Sequence, residues 1–148
     1  MKIIKFLSIA LLAILINSCS VEPEPINYGK DQCDFCKMGI VDKSHAAQYV
    51  SEKGKQFKFD AIECLIREIS DPAIEKASLA HILVTDYNNP GKLIPVKEAT
   101  FIICKKIKSP MGAYLSAFST DAEAQKVIDE MGGEKYTWAS IQSKFEKK

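Results

Sequence analysis

Cys33-Asp-Phe-Cys36-Lys-Met38 places three sulfur side chains within six residues. Two cysteines three apart can put both sulfurs on one metal ion or close a small disulfide. Met38 adds a thioether two residues later. Zinc sites rarely recruit thioether, whereas thiolate plus thioether is a donor set that suits the soft ion Cu(I). A second thioether stands in Ser109-Pro110-Met111-Gly112, where proline fixes the backbone before Met111 and glycine allows close approach after it. Both methionines also read as ordinary core filler. His45, nine residues after Cys36, is within reach of the same site or serves as a buried structural histidine. Cys64, on a helical stretch, and Cys104, at the end of a β-prone run, each read as a small buried hydrophobe unless recruited as ligand or disulfide partner.

Other chemistries are poorly served. The chain has no glycine-rich phosphate loop, no Gly-x-Ser-x-Gly elbow and no His-Glu-x-x-His. Its 20 Lys+Arg against 19 Asp+Glu give a formal charge of +1, so there is no basic excess to neutralise phosphates and no nucleic-acid partner is expected. Lys53, Lys55 and Lys58, with Lys105, Lys106 and Lys108, read as solvated loop faces. Two rival uses of the cysteines stay open at this stage. One is thiol–disulfide exchange at the CxxC pair. The other is a structural zinc site built from Cys33, Cys36, Cys64 and Cys104, although zinc ribbons normally bring a second CxxC.

The elements that must position these groups fall into two similar halves. Ala46–Val50 and Phe57–Phe59 are β-prone runs around a turn at Gly54. Asp60-Ala-Ile-Glu63 then has the form of a capping box. Ile62, Leu65, Ile66 and Ile69 follow at i, i+3, i+4, i+7, the apolar face of a helix that Asp71-Pro72 ends. Residues 80–85 read as a buried strand and residues 88–91 as a turn. The order then repeats. Thr100–Cys104 and Ala113–Phe118 are strands around the Pro110 turn. Thr120-Asp-Ala-Glu123 is a second capping box, and Ala124, Val127, Ile128 and Met131 repeat the helical stripe before Gly132-Gly133. Residues 135–138 read as a last strand, and Trp138, Ile141 and Phe145 as one face of a short final helix. The expected fold is α+β: two ββαβ units sharing a core.

The N-terminus carries a different signal. Lys2 and Lys5 precede eleven residues, Phe6 to Ile16, with only Ser8 polar. That run is too short to span a membrane, which takes roughly 20 apolar residues, and it has the form of a signal-peptide core. It ends Ile16-Asn17-Ser18-Cys19, which resembles the bacterial lipobox, whose cysteine is acylated and becomes the first mature residue. Removing residues 1–18 takes away two lysines and no acid, so the formal charge moves from +1 to −1. The expected organisation is a lipoprotein signal peptide at 1–18 and a flexible tether at 19–32 starting from acylated Cys19. The first ββαβ unit with the CxxC pair follows at 33–92, and the second at 93–148.

Four blocks occur in order: Cys33-Asp-Phe-Cys36-Lys-Met38-Gly-Ile, Phe59-Asp-Ala-Ile-Glu-Cys64-Leu, Val84-Thr-Asp-Tyr87 and Ser109-Pro-Met111-Gly-Ala-Tyr-Leu-Ser-Ala-Phe118. Together with the lipobox they resemble the nitrous-oxide reductase accessory lipoproteins, the NosL copper chaperones. The resemblance runs from about Cys33 to Trp138 and implies the same pair of ββαβ units. It further implies a non-enzymatic, monomeric lipoprotein of the bacterial envelope, anchored through Cys19 and facing the periplasm. Such a protein binds one Cu(I) per chain and passes it, through a membrane transporter complex, to a client copper enzyme, nitrous-oxide reductase in the family's case. Carried over by position, the metal-binding cysteine falls at Cys36 with Cys33 beside it, and the thioether ligand at Met111. Met38 matches the methionine of the family's Cys-Gly-Met, where this chain has Lys37 in place of glycine. Lys43-Ser-His45-Ala stands where denitrifier members often carry His-Pro-Gly. Met38 and His45 remain candidates to complete the site.

Overall fold

The structure, a computed structural model, describes residues 21–146. The signal peptide and the acylation expected at Cys19 lie outside the described residues. Two antiparallel sheets carry the fold. In the first, β1 (Ala47–Ser51) sits between β2 (Gln56–Phe59) and β3 (Leu79–Thr85), and β4 (Leu93–Pro95) extends it beyond β3. In the second, β5 (Thr100–Ile103) sits between β6 (Leu115–Phe118) and β7 (Glu134–Tyr136). Helix α1 (Ile62–Ile69) follows β2, helix α2 (Asp121–Met131) follows β6, and helix α3 (Trp138–Glu146) closes the described chain.

The repeat read from the sequence is therefore present. Each unit runs strand–strand–helix–strand, and in both the first strand is central, giving the spatial orders β2-β1-β3 and β6-β5-β7. Two features break the symmetry. Leu93–Pro95, at the start of the stretch assigned to the second unit, pairs with Thr85–Leu83 and so belongs to the first sheet. Helix α3 has no counterpart in the first unit and packs against α1.

One core serves both units. The Ile62, Leu65, Ile66 and Ile69 stripe of α1 is buried to within 1% exposure, together with Phe59, Val84, Phe101, Leu115 and Ile141. Each such side chain contributes roughly 1.5–3 kcal/mol of apolar burial. Tyr49 stacks on Phe57 and Phe59 from the centre of the first sheet. A smaller cluster under α2 gathers Ile102, Cys104, Ile107, Phe118, Ala124 and Val127. Asp86 bridges to Ala117 and the Tyr87 amide donates to the Ala117 carbonyl at 2.8 Å, joining the sheets at the β3–β6 junction. Among the described residues no helix is long and apolar enough to cross a membrane.

Residues 22–32, expected to be a free tether, lie against the first sheet instead. Gln56 accepts from the Glu24 amide and donates to the Glu22 carbonyl. Lys58, expected on a solvated loop, donates to the Pro25 carbonyl at 2.9 Å and to Asp31 Oδ2 at 2.7 Å, and its side chain is only 13% exposed. Ile26 is buried in the main core. A low apolar content left this segment looking unstructured, but one isoleucine and the side chains of β2 are enough to fasten it.

Candidate metal centre

The CxxC segment is a tight loop docked on the edge of β2. The Gln32–Gly39 bridge closes it, the Cys33 amide donates to the Met38 carbonyl at 2.8 Å, and the Lys37 amide donates to the Cys33 carbonyl at 2.9 Å. Asp34 fixes it to the sheet by exchanging bonds with Lys58. Its amide donates to the Lys58 carbonyl, and its Oδ2 accepts from the Lys58 amide, both at 2.8 Å. Docking at Lys58 sets the two cysteines beside the residues that end β2 and begin α1. Lys37 has φ +65°, the left-handed region in which glycine is at home, so the lysine here carries strain.

That docking assembles four donors. The sulfurs of Cys33, Cys36 and Cys64 and a carboxylate oxygen of Asp60 all lie within 4.8 Å of one another. Cys33, Cys64 and Asp60 are buried and Cys36 is half-buried, so the cluster has a single accessible thiol. The Cys36 thiol donates to Asp60 Oδ1 at 3.4 Å, and the Cys36 amide points at the Cys33 sulfur at 3.5 Å. None of the described cysteines is in a disulfide.

The electrostatics divide the thiols into one anion and two donors. The Cys64 thiol, hydrogen-bonded to Cys33, holds the Cys33 thiol down to about 6 against the opposing effect of burial, with help from the Cys36 and Asp60 amides. The same bond, with burial and the neighbouring Cys33 and Asp60 charges, pushes Cys64 far up. Burial first, and then the Cys33 sulfur and Asp60, push Cys36 up. These shifts favour the thiolate at Cys33 and the protonated thiol at Cys36 and Cys64. Three sulfurs beside a carboxyl oxygen could hold a metal ion, which would displace the thiol protons.

The structure sorts the expected site residues. Cys33 and Cys36 are together in the cluster. Met38, 53% exposed, is on the loop that carries them. Met111 is half-buried in the Ser109–Tyr114 loop and packs on the same core that holds Cys33, Cys64 and Cys36. A surface groove opens beside it, lined also by Arg67, Tyr114, Lys144 and Phe145. His45 is not brought to the thiols. Its Nδ1 lies 3.1 Å from Asp42 and its Nε2 3.1 Å from Ser116, so both ring nitrogens are engaged and it joins the CxxC half to β6. Cys104 sits in the separate core under α2, which separates it from the other three cysteines.

Asp60 is the cluster residue that sequence reasoning missed, and Cys64, open there as a ligand but read first as a buried hydrophobe, joins it. Asp60 looked like a helix cap. In fact the N-cap of α1 is Ala61, without a side-chain bond, and the Asp60 carboxylate turns to Cys36. Cys64 looked like a helix-face hydrophobe, and it does lie on the buried face. The readable signal was the four-residue spacing of Asp60 and Cys64 across a strand-to-helix junction. The missing information was that the CxxC loop docks there. Glu63, the other half of the expected box, is also diverted. It has no exposed surface and its Oε1 accepts from Ser109 Oγ at 3.1 Å and from the Ala113 amide at 3.2 Å.

Two ββαβ units around one core, with a thiol cluster that could hold a metal ion at the first strand-to-helix junction, define a small α+β protein. The sequence profile of the family described as NosL matches residues 26–145, and the chain belongs to that family. Its fold is similar to that in the crystal structure of the copper chaperone NosL from Shewanella denitrificans, with a TM-score of 0.68 and 20% identity. The likeness covers 79% of this chain and 92% of that one, and at this identity it speaks to the fold. No curated protein matches the chain.

Proposed function

We propose that this protein is a Cu(I) carrier of the bacterial envelope, binding one Cu(I) per chain as cargo and handing it to a copper enzyme. The observation that carries the reading is the convergence of three thiols and one carboxylate within 4.8 Å, with only Cys36 reaching the surface. Cu(I) favours such soft donors. Cys36 is the entry ligand, Cys33 supplies the ready thiolate, Cys64 is the buried third sulfur, and Met111 offers a thioether from the second unit. Met38, on the exposed rim of the loop, is placed to meet copper as it arrives or leaves. A carrier needs retention without a high barrier to release. One accessible thiol lets a partner's sulfur or imidazole enter as one donor departs, while the buried thiols hold the ion.

The name of the structural relative, a copper chaperone, supports the same reading, as does membership of its family. From the sequence resemblance we further propose acylation of Cys19, anchoring on the periplasmic side, action as a monomer, and delivery through a membrane transporter complex to nitrous-oxide reductase or a related enzyme. Thiol–disulfide exchange is a weaker reading. Cys33, the thiol with a depressed pKa, has no exposed surface, and the accessible Cys36 is pushed up, the reverse of what an exchange nucleophile needs. The test is anaerobic competition between the full chain in detergent and a chromophoric Cu(I) chelator. The expected result is one Cu(I) withheld per chain, lost in Cys36→Ser. Equal chelation with and without the protein would remove the reading.

A further inference from the structure

Glu63 is an unusual residue for its position. It is on the first turn of α1, immediately before Cys64, with no exposed surface. Burial pushes its carboxyl up. Its Oε2 has no hydrogen-bond partner among the described residues. A carboxyl buried with half its accepting capacity idle costs stability, and a leucine or methionine would fill the same space without that cost. What the carboxyl does accomplish is done by Oε1, which accepts from Ser109 Oγ and from the Ala113 amide. These two donors flank Met111.

The loop they hold needs holding. Gly112 has φ +75° and Tyr114 has φ +59°, so two of the three residues after Met111 are left-handed, and an aromatic residue there is strained. Such a conformation persists only where neighbours over-determine it. Ser109 Oγ accepts from the Tyr114 amide at 2.9 Å while donating to Glu63, and the Cys104 amide donates to the Tyr114 carbonyl at 3.0 Å. The carboxylate therefore ties both sides of the Met111 turn to the helix residue adjoining Cys64.

From these contacts we infer that Glu63 is a positioning residue, fixing the Met111 loop of the second unit against the thiol cluster of the first so that the thioether completes the copper site. This rests on the Cu(I) reading above and adds to it a residue that is not among the clustered donors. Residues acting through a ligand in this way typically alter metal affinity by about 10–100-fold.

The experiment measures Cu(I) affinity by chelator competition on the full chain in detergent, for wild type, Glu63→Leu, Glu63→Gln, Met111→Ala and the Glu63→Leu/Met111→Ala double variant. X-ray absorption on the copper-loaded proteins counts the sulfur neighbours. Glu63→Leu is expected to weaken binding by about tenfold and to lose a sulfur neighbour. The double variant should be no weaker than Met111→Ala alone, because the two changes remove the same ligand. Glu63→Gln keeps an oxygen for both donors and should bind close to wild type. If Glu63→Leu does not fold, Ser109→Ala removes one of the two tethers and should show a smaller loss that Met111→Ala abolishes. Wild-type affinity in folded Glu63→Leu or in Ser109→Ala, or losses additive with Met111→Ala, overturn the inference alone. Met111→Ala with unchanged affinity also overturns the inference alone, whereas a wild-type chain that takes up no Cu(I) overturns the function reading and this inference with it.

Discussion

The two helix starts of this molecule carry the same capping-box pattern, Asp60-Ala-Ile-Glu63 and Thr120-Asp-Ala-Glu123, and do different work. At the second, Thr120 accepts from the Glu123 amide at 3.2 Å, and the Glu123 carboxylate bonds back to Ser119 and Thr120 hydroxyls. This is a capping box serving its own helix. At the first, the corresponding acids have left the helix. Asp60 faces the Cys36 thiol and Glu63 holds the Met111 loop, so α1 begins at an uncapped Ala61. The lesson is that a local rule is broken where side chains are drawn into the thiol cluster and the Met111 loop, and kept in the symmetric position, where no such cluster lies among the described residues.

Four experiments sharpen that contrast, taken from the largest expected effect downward. Cys64→Ser should weaken Cu(I) binding by at least about 100-fold, roughly 2.8 kcal/mol, whereas Glu123→Gln should leave it unchanged; chelator competition reads both. Equal effects would erase the distinction between the two junctions.

The second concerns the Cys33 thiol, lowered from 9.0 to about 6 chiefly by the Cys64 hydrogen bond. Ultraviolet thiolate absorbance of the metal-free protein should show one thiol ionising near that pH. In Cys64→Ala the transition should move up toward the ordinary thiol value. Because the folded value is lowered, the unfolded chain binds a proton that the native chain does not. This group's stabilisation is present above the unfolded value and is lost as pH falls through about 6. The stability gained between those limits should be absent in Cys33→Ser, as urea titrations at a series of pH values would report.

Third, Thr120→Ala should cost about 1 kcal/mol of unfolding free energy by removing a cap, with copper affinity untouched. Asp60→Asn should cost the helix nothing as a cap. It should lower the Cys36 pKa by removing a neighbouring negative charge, so that alkylation of Cys36 at neutral pH becomes faster. Last, Lys37→Gly should stabilise the protein by up to about 1 kcal/mol through relief of the left-handed backbone, and denaturant midpoints would show it.

How much of this was legible from sequence follows the same division. The second unit reads almost directly: its capping box, the stripe on α2, the left-handed Gly132 and the final helix all occur where spacing and turn chemistry put them. The first unit's helix was legible through Ile62, Leu65, Ile66 and Ile69, because burial periodicity survives recruitment of the polar positions. Its junction was not. Asp60 and Cys64 belong to a site only because Asp34 docks the CxxC loop on Lys58, a contact between residues 24 apart that no local pattern records. The same long-range contacts explain why residues 22–32 looked like a tether and why His45 looked like a ligand candidate. Its partners, Asp42 and Ser116, come from opposite halves of the chain. The turn that presents Met111 was legible from Pro110 and Gly112, but the carboxylate that holds the turn was hidden inside an apparent capping box.

The central claim is that copper is held between the two units by the thiol cluster with the Met111 thioether. Its most direct test is the Cu(I) affinity of the full chain measured against a chromophoric chelator for wild type, Cys36→Ser and Met111→Ala. The account predicts one Cu(I) per chain, with Cys36→Ser weaker by at least about 100-fold and Met111→Ala weaker by about tenfold or more. Wild-type affinity retained in either variant would contradict it.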